Sequence, residues 1–214
     1  MEDKISRVTI HGFMAKYYDT ILNLITFGKY PGLLNKAIEI MNLKSDEKIL
    51  DIGAGSGRNA CLMHNYLNDN GEILGFDIEP VMIHQFKKKC VFDNTKIEKH
   101  DIIEPFPYVD YFDRVFISFV IHGFSRENRK IILKNINKSL KKGGKISIFD
   151  YGNFKFESQP FFIKTIFKIA ECPYAFEYIS DDHEKMLTDI GFNNVKINEL
   201  AGKYVTLTTA IKNS

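Results

Sequence analysis

Lys48-Ile49-Leu50-Asp51-Ile52-Gly53-Ala54-Gly55-Ser56-Gly57-Arg58-Asn59 is the stretch on which the fold turns. A short apolar run ends in an aspartate, and glycines then stand at three alternate positions. The run Lys48–Asp51 predicts a first β-strand, and the turn after it predicts a reversal into a helix reaching about Leu67. Glycine permits sharp turning and lets backbone N–H groups come close to a ligand. The helix that follows favours negative charge at its N-terminus. The spacing departs from the dinucleotide fingerprint G-x-G-x-x-G, because the third glycine arrives one residue early, at Gly57, and position 58 is Arg.

Outward from this turn, short β-rich runs alternate with longer helical patterns, which predicts βαβ units and a mostly parallel sheet. Strands are expected at Glu72–Asp77, Ile97–Asp101, Arg114–Phe119 and Lys145–Asp150. Pro80 suits the first turn of a helix. Ser125 is expected to cap another, with Glu127 in its first turn, and Gly143-Gly144 to end it. Upstream, Met14, Tyr17, Tyr18, Ile21 and Ile25 recur at helical spacing, and Pro31-Gly32 predicts a break before a second helix to about Leu43. Residues 151–180 interrupt the alternation with many aromatics. A helix near Asp181–Asp189 and strands near Asn194–Glu199 and Tyr204–Ile211 close the chain. The expected organisation is one domain over 1–214, with a helical N-terminal cap at 1–43 and a lid insertion at 151–180.

The chain has 214 residues and a formal net charge of +2, so no strong electrostatic pull toward nucleic acid or membrane is implied. The runs Lys87-Lys88-Lys89 and Lys141-Lys142 read as solvated helix faces or helix ends. Cys61, Cys90 and Cys172 form no CxxC and no metal-ligand spacing with histidine, so no metal is expected and the three read as buried thiols of a reducing compartment. Met1-Glu2-Asp3-Lys4 starts charged with no apolar run behind it. The expected location is cytoplasmic. A monomer and a homodimer are both compatible with the sequence.

Acidic strand ends add to the glycine turn. Asp77, at the predicted end of the second strand, can accept the two hydroxyls of a ribose, and Asp101, at the end of the third, can accept an exocyclic adenine amine. Each aspartate alone also reads as a turn or cap residue. Together with Asp51 and the turn, they fall along the carboxyl edge of one sheet, where open α/β folds bind ligands.

Ile49–Asn59 resembles motif I of the class I S-adenosylmethionine-dependent methyltransferases. Gly75-Phe76-Asp77-Ile78-Glu79-Pro80-Val81-Met82 resembles the family's second motif and Lys99-His100-Asp101-Ile102 its third. Phe112-Asp113-Arg114-Val115 and Lys142-Gly143-Gly144-Lys145-Ile146 match the entries to the fourth and fifth strands. The resemblance implies a Rossmann-like, doubly wound, seven-stranded α/β sheet with the last strand antiparallel. It implies S-adenosylmethionine as cofactor. Asp51 and the turn Gly53-Ala54-Gly55 through Gly57 and Asn59 would hold its methionine part, Asp77 its ribose, Ile78 and Met82 its adenine, and Asp101 and Ile102 the adenine amine and face. Phe119 would face the sulfur. Tyr17-Tyr18-Asp19-Thr20-Ile21-Leu22-Asn23 followed by Gly28 is loosely similar to the quinone-biosynthesis C-methyltransferases, which implies that Tyr18 closes over the cofactor and that the acceptor is a small, apolar or aromatic molecule.

Methyl transfer from a sulfonium is governed mainly by alignment. A base is needed only where the nucleophile must lose a proton. His122, just after the fourth strand, is the candidate; packing against a loop is the plainer alternative. The aromatics of 151–180 either line an apolar pocket as a lid or form a satellite core. Lys164 and Lys168, one turn apart on an otherwise apolar helix, are compatible with weak membrane-surface contact. No Asn/Asp-Pro-Pro-Tyr and no Pro-Cys follows the fourth strand, and no basic arm is visible, so nucleic-acid substrates are not expected. Two rival readings are a nicotinamide-dependent oxidoreductase and a non-catalytic subunit that binds S-adenosylmethionine.

Overall fold

The computed structural model describes residues 28–170 and 172–213. Its centre is a seven-stranded sheet in the order β3-β2-β1-β4-β5-β7-β6. The strands are β1 Lys48–Ile52, β2 Glu72–Asp77, β3 Thr95–Lys99, β4 Phe112–Ser118, β5 Leu140–Tyr151, β6 Phe192–Glu199 and β7 Val205–Lys212. β1, β2, β3, β4 and β5 pair in parallel, and β7 runs antiparallel to both β5 and β6. This is the doubly wound, seven-stranded arrangement with the last strand antiparallel that the resemblance implies.

Side-chain alternation along the strands builds two cores, one on each face of the sheet. Ile49, Ile73, Phe116 and Phe149 face α1 (Tyr30–Met41), α2 (Arg58–His64) and α3 (Pro80–Lys89), burying Leu34, Ile38, Met63 and Phe86. Leu50, Ile52, Leu74, Val115 and Ile117 face the other way, onto Ile132, Leu133 and Ile136 of α4 (Arg126–Ser139). The continuous burial of β1 and β4 is what a parallel strand covered on both sides requires. Three short helices follow β5: α5 Phe161–Ala170, α6 Pro173–Tyr178 and α7 His183–Thr188. No helix among the described residues is long and apolar enough to cross a membrane.

Several expectations are corrected. The helix expected after Pro31-Gly32 starts slightly earlier, at Tyr30, and Pro31 occupies the first turn of α1, where its missing N–H costs nothing. α2 stops at His64, not near Leu67, because the N–H groups of Tyr66 and Leu67 turn back to the carbonyls of Met63 and His64. β3 begins and ends two residues earlier than expected, since Thr95 to Lys99 lie in register with Ile73 to Asp77. Asp101 is therefore in the loop beyond the strand. α4 ends at Ser139 instead of the glycine pair: Leu140 is extended, fully buried and paired with Phe112, so β5 starts there. Gly143-Gly144 lies inside an irregular stretch of β5, and Lys141-Lys142 is on that strand and not on a helix. Lys87-Lys88-Lys89 does close α3, and Ser125 Oγ accepts the N–H of Asn128 as the cap of α4. Cys61 and Cys90 are not separate thiols; a disulfide joins α2 to the end of α3, while Cys172 is free.

Candidate functional site

The carboxyl ends of β1, β2, β4 and β5 form one rim. β1 runs directly into the glycine turn, where Gly53, Gly55 and Gly57 all take positive φ values of 66°, 55° and 87°. Side chains rarely adopt that conformation. At Gly53 space is equally decisive, because an added Cβ would overlap Cγ2 of Val120, from the loop after β4. The N–H groups of Gly53 and Ala54 both donate to the Phe76 carbonyl, which ties the turn to β2. Gly55 N–H donates to Oδ2 of Asp77 at 2.8 Å, and Glu79 N–H donates to Oδ1 at 2.9 Å. Burial raises the Asp77 carboxyl above its ordinary value, and the N–H groups of Glu79, Gly55 and Ile78 oppose the shift. Each carboxylate oxygen keeps a lone pair for a further donor.

Asp51 is fully buried, and neither oxygen has a hydrogen-bond partner among the described residues. Desolvation pushes its pKa up to about 8; the nearby Asn59 side chain pulls it down without a well-formed hydrogen bond, and the charge of Asp77 adds to the rise. A buried, unpartnered carboxylate beside an open turn is the complement of an ammonium group. The residues therefore fit S-adenosylmethionine: Asp51 and the turn suit the amino-acid end, and Asp77 suits the ribose.

The other expected contacts are placed less evenly. Asn59 is buried in the first turn of α2, Met82 is buried on α3, and Ile78 is exposed at the end of β2. Ile102 is buried in the principal core. Asp101 is exposed and uses Oδ1 to accept the N–H of Ile103, a turn role. Tyr18 lies outside the described residues.

The rim beyond β4 and β5 is aromatic. Phe119 follows β4 at φ 50°, a left-handed conformation that is costly for a bulky residue and clusters at functional sites. Its ring stands 5.1 Å from Phe149, 5.4 Å from Tyr151, 5.9 Å from Tyr30 and 6.3 Å from His122, centroid to centroid. His122 sits in a 3-10 turn, Ile121–Gly123, and is nearly buried. Its Nδ1 is 2.7 Å from Oδ1 of Asp150 near the end of β5. The ring is thus paired with a carboxylate.

Sequence reasoning missed two members of this rim. Asp150 is an acid at the end of a predicted parallel strand, the same signal that identified Asp77. Tyr30, at the start of α1, reaches Ser118 with its hydroxyl at 3.2 Å, and nothing local in the sequence places it there. In the segment 151–180, Phe154 and Phe167 bury against Ala175 and Ile179, with Phe156 and Phe176 beside them. Those rings largely satisfy one another as a satellite core. Tyr151 packs against both that cluster and the principal core. α6 and the turn after it are held to α4 by ion pairs: Arg129, buried, pairs with Glu177 and with Asp181, and Arg126 with Asp181 at 2.6 Å.

Residues 49–144 match the family model for the methyltransferase domain. The chain is 25% identical over 234 residues to the ubiquinone/menaquinone biosynthesis C-methyltransferase of Francisella philomiragia, covering 96% of this chain and 91% of that protein. The enzyme of the same name from Pectobacterium carotovorum is 24% identical, with 94% and 88% covered. Among solved structures, a SAM-dependent methyltransferase from Aquifex aeolicus superposes with TM-score 0.63 at 19% identity, over 83% of this chain and 88% of that one. Human N-acetylserotonin methyltransferase, solved with S-adenosylmethionine, superposes with TM-score 0.66 at 17% identity, over 94% and 59%. The domain match favours methyl transfer over the nicotinamide reading.

Proposed function

We propose that this chain, a class I S-adenosylmethionine-dependent methyltransferase, methylates a ring carbon of a small aromatic acceptor that carries a hydroxyl group. The observation that carries the reading is His122, paired with a carboxylate, standing among Phe119 and Tyr151 at the rim that holds the glycine turn. The relatives named for C-methylation in ubiquinone and menaquinone biosynthesis support the same acceptor chemistry.

S-adenosylmethionine supplies a methyl group on a positively charged sulfur, already activated for transfer. Asp51 and the backbone of residues 53–57 would hold its amino-acid end, and Asp77 its ribose. Phe119 and Tyr151 would stack on the acceptor ring and keep water from the reacting carbon. His122 would take the hydroxyl proton, which raises the electron density on the ring carbons ortho and para to that oxygen. The segment 151–180 would cover the acceptor, its aromatic cluster serving as a rigid floor more than as an open pocket.

The test is incubation of the pure protein with S-adenosylmethionine and a reduced short-chain 1,4-naphthoquinone that lacks the ring methyl. The expected result is carbon-methylated product with an equimolar yield of S-adenosylhomocysteine. Turnover of amine or thiol acceptors with none of phenols and hydroquinones would overturn the assignment.

A further inference from the structure

A disulfide presses on the last glycine of the turn. Gly57 sits at φ 87° and opens α2. Its carbonyl accepts the N–H of Cys61 at 2.9 Å, and Sγ of Cys90 lies 3.1 Å from the same oxygen. A Cβ added to Gly57 would meet that sulfur at 2.7 Å and the Phe86 ring at 3.0 Å. One residue earlier, Ser56 Oγ accepts from Nζ of Lys89 at 3.0 Å. Residues 56 and 57 of the turn are thus seated on residues 89 and 90 at the end of α3. Cys61, in α2, is bonded to Cys90, which makes the seat covalent. Asp77 anchors the same turn from the other side, through Gly55.

We propose that the Cys61–Cys90 bridge is a reversible redox modification site that sets the affinity of the glycine turn for S-adenosylmethionine: bridged, it holds the turn ready, and once reduced by a dithiol the protein binds cofactor more weakly. The inference goes beyond the acceptor chemistry and needs only the cofactor site. Three glycines in left-handed backbone have much freedom to lose, since glycine leaves that region as readily as it enters it. The bridge removes part of that freedom before the cofactor arrives, so binding does not have to supply the ordering. Reduction changes a contact as well as a constraint. A disulfide sulfur carries no hydrogen, so in the bridged protein Cys90 only packs on the Gly57 carbonyl. The thiol formed by reduction gains a donor beside an oxygen that already takes the N–H of Cys61 at the start of α2. The helix start and the freed thiol then compete for one acceptor.

Cys61 is the more accessible partner, half-buried where Cys90 is 5% exposed. A thiolate of the reductant therefore attacks Sγ of Cys61. The S–S bond breaks, and its electron pair stays on Sγ of Cys90, which takes up a proton. The reductant's second thiol then attacks the mixed disulfide, frees Cys61 as a thiol and leaves the reductant as its own disulfide. Two electrons and two protons pass to the bridge, and exchange with a disulfide oxidant runs the same steps backward. Cys172 takes no part; it stands free beside the aromatic cluster of 151–180.

Titration calorimetry of the full chain with S-adenosylmethionine, before and after treatment with dithiothreitol, reads the switch without any acceptor. Affinity is expected to fall about 10-fold on reduction and to return on reoxidation. Linkage requires the converse, so saturating cofactor should make the bridge about 10-fold harder to reduce in a graded dithiothreitol buffer. Cys61→Ser should bind like the reduced wild type with or without the dithiol, and Cys172→Ser should respond like the wild type. The near-ultraviolet circular dichroism of the reduced protein should stay native, because the switch is local. Equal affinity in the two states, a Cys61→Ser protein that still responds to the dithiol, or a native signal lost on reduction overturns the proposal. So does an oxidised protein with no bridge. A chain that binds S-adenosylmethionine in neither state defeats the cofactor site and the switch together. Switching in a protein that methylates no hydroxyl-bearing ring supports the switch and defeats only the acceptor reading.

Discussion

The backbone N–H of Gly55 points at Oδ2 of Asp77 across 2.8 Å, so the turn after β1 and the acid that ends β2 form one rigid unit. Asp77 thereby shapes the turn, and its remaining lone pairs suit the hydroxyls of a ribose. Asp77→Asn is expected to weaken S-adenosylmethionine binding about 10- to 100-fold, the loss of roughly 1.5–3 kcal/mol for hydrogen bonds to a charged group. Titration calorimetry measures it. Affinity within error of wild type would remove Asp77 from the cofactor site.

Asp51 is expected to make S-adenosylmethionine binding depend on pH. Burial holds its carboxyl up at about 8, so the free protein keeps it largely protonated at neutral pH. An ammonium laid against it favours the ionised form, so cofactor binding expels a proton. Affinity should rise as pH climbs toward the value of the free protein and level off above it. Calorimetry in buffers of different ionisation heat should record proton release near neutrality. Stability of the free protein has the matching sign: the unfolded chain loses this proton in the ordinary carboxylate range, so the Asp51 contribution is complete below that range and lost as pH rises to about 8. Asp51→Asn should abolish both dependences.

Gly53 is confined by conformation and by Val120 together. Gly53→Ala is expected to cost about 1–2 kcal/mol from its left-handed backbone alone, with a further cost from the overlap. Combining it with Val120→Ala should recover the overlap part and leave the backbone part. A double-mutant cycle by denaturant unfolding measures the coupling. Purely additive losses would mean that Val120 does not press on the turn.

The Cys61–Cys90 bridge closes a loop between the helices that follow β1 and β2. Its reduction is expected to lower stability by about 2–4 kcal/mol. Thiol titration of the denatured, unreduced protein should find Cys172 alone reactive; three free thiols would show that the bridge does not form in solution.

Much of the rim was legible in the sequence, for local reasons. Glu72–Asp77 and the Pro80 start of α3 were read to the residue, because an apolar run ending in an acid and a proline at a first turn are signals complete in themselves. The seven-stranded sheet with its last strand antiparallel followed from recognising motif I and its successors, while the order β3-β2-β1-β4-β5-β7-β6 came from the structure. What failed was decided by pairing. Thr95 belongs to β3 because β2 offers it a partner, and Leu140 leaves α4 because Phe112 does. The aromatics of 151–180 were visible, but whether they faced a pocket or one another was not.

By itself, the sequence determined the βαβ alternation, the glycine turn and the acids Asp51 and Asp77, since propensity, glycine φ freedom and strand-end chemistry act within a few residues. Only the tertiary structure decided that Val120 closes on Gly53, that Cys61 meets Cys90, that Tyr30 joins the rim and that Asp150 holds His122. Those pairs are 67, 29, 88 and 28 residues apart or more simply brought together by sheet order. Contacts at such separations depend on how strands stack and helices cover them, and no local pattern encodes that.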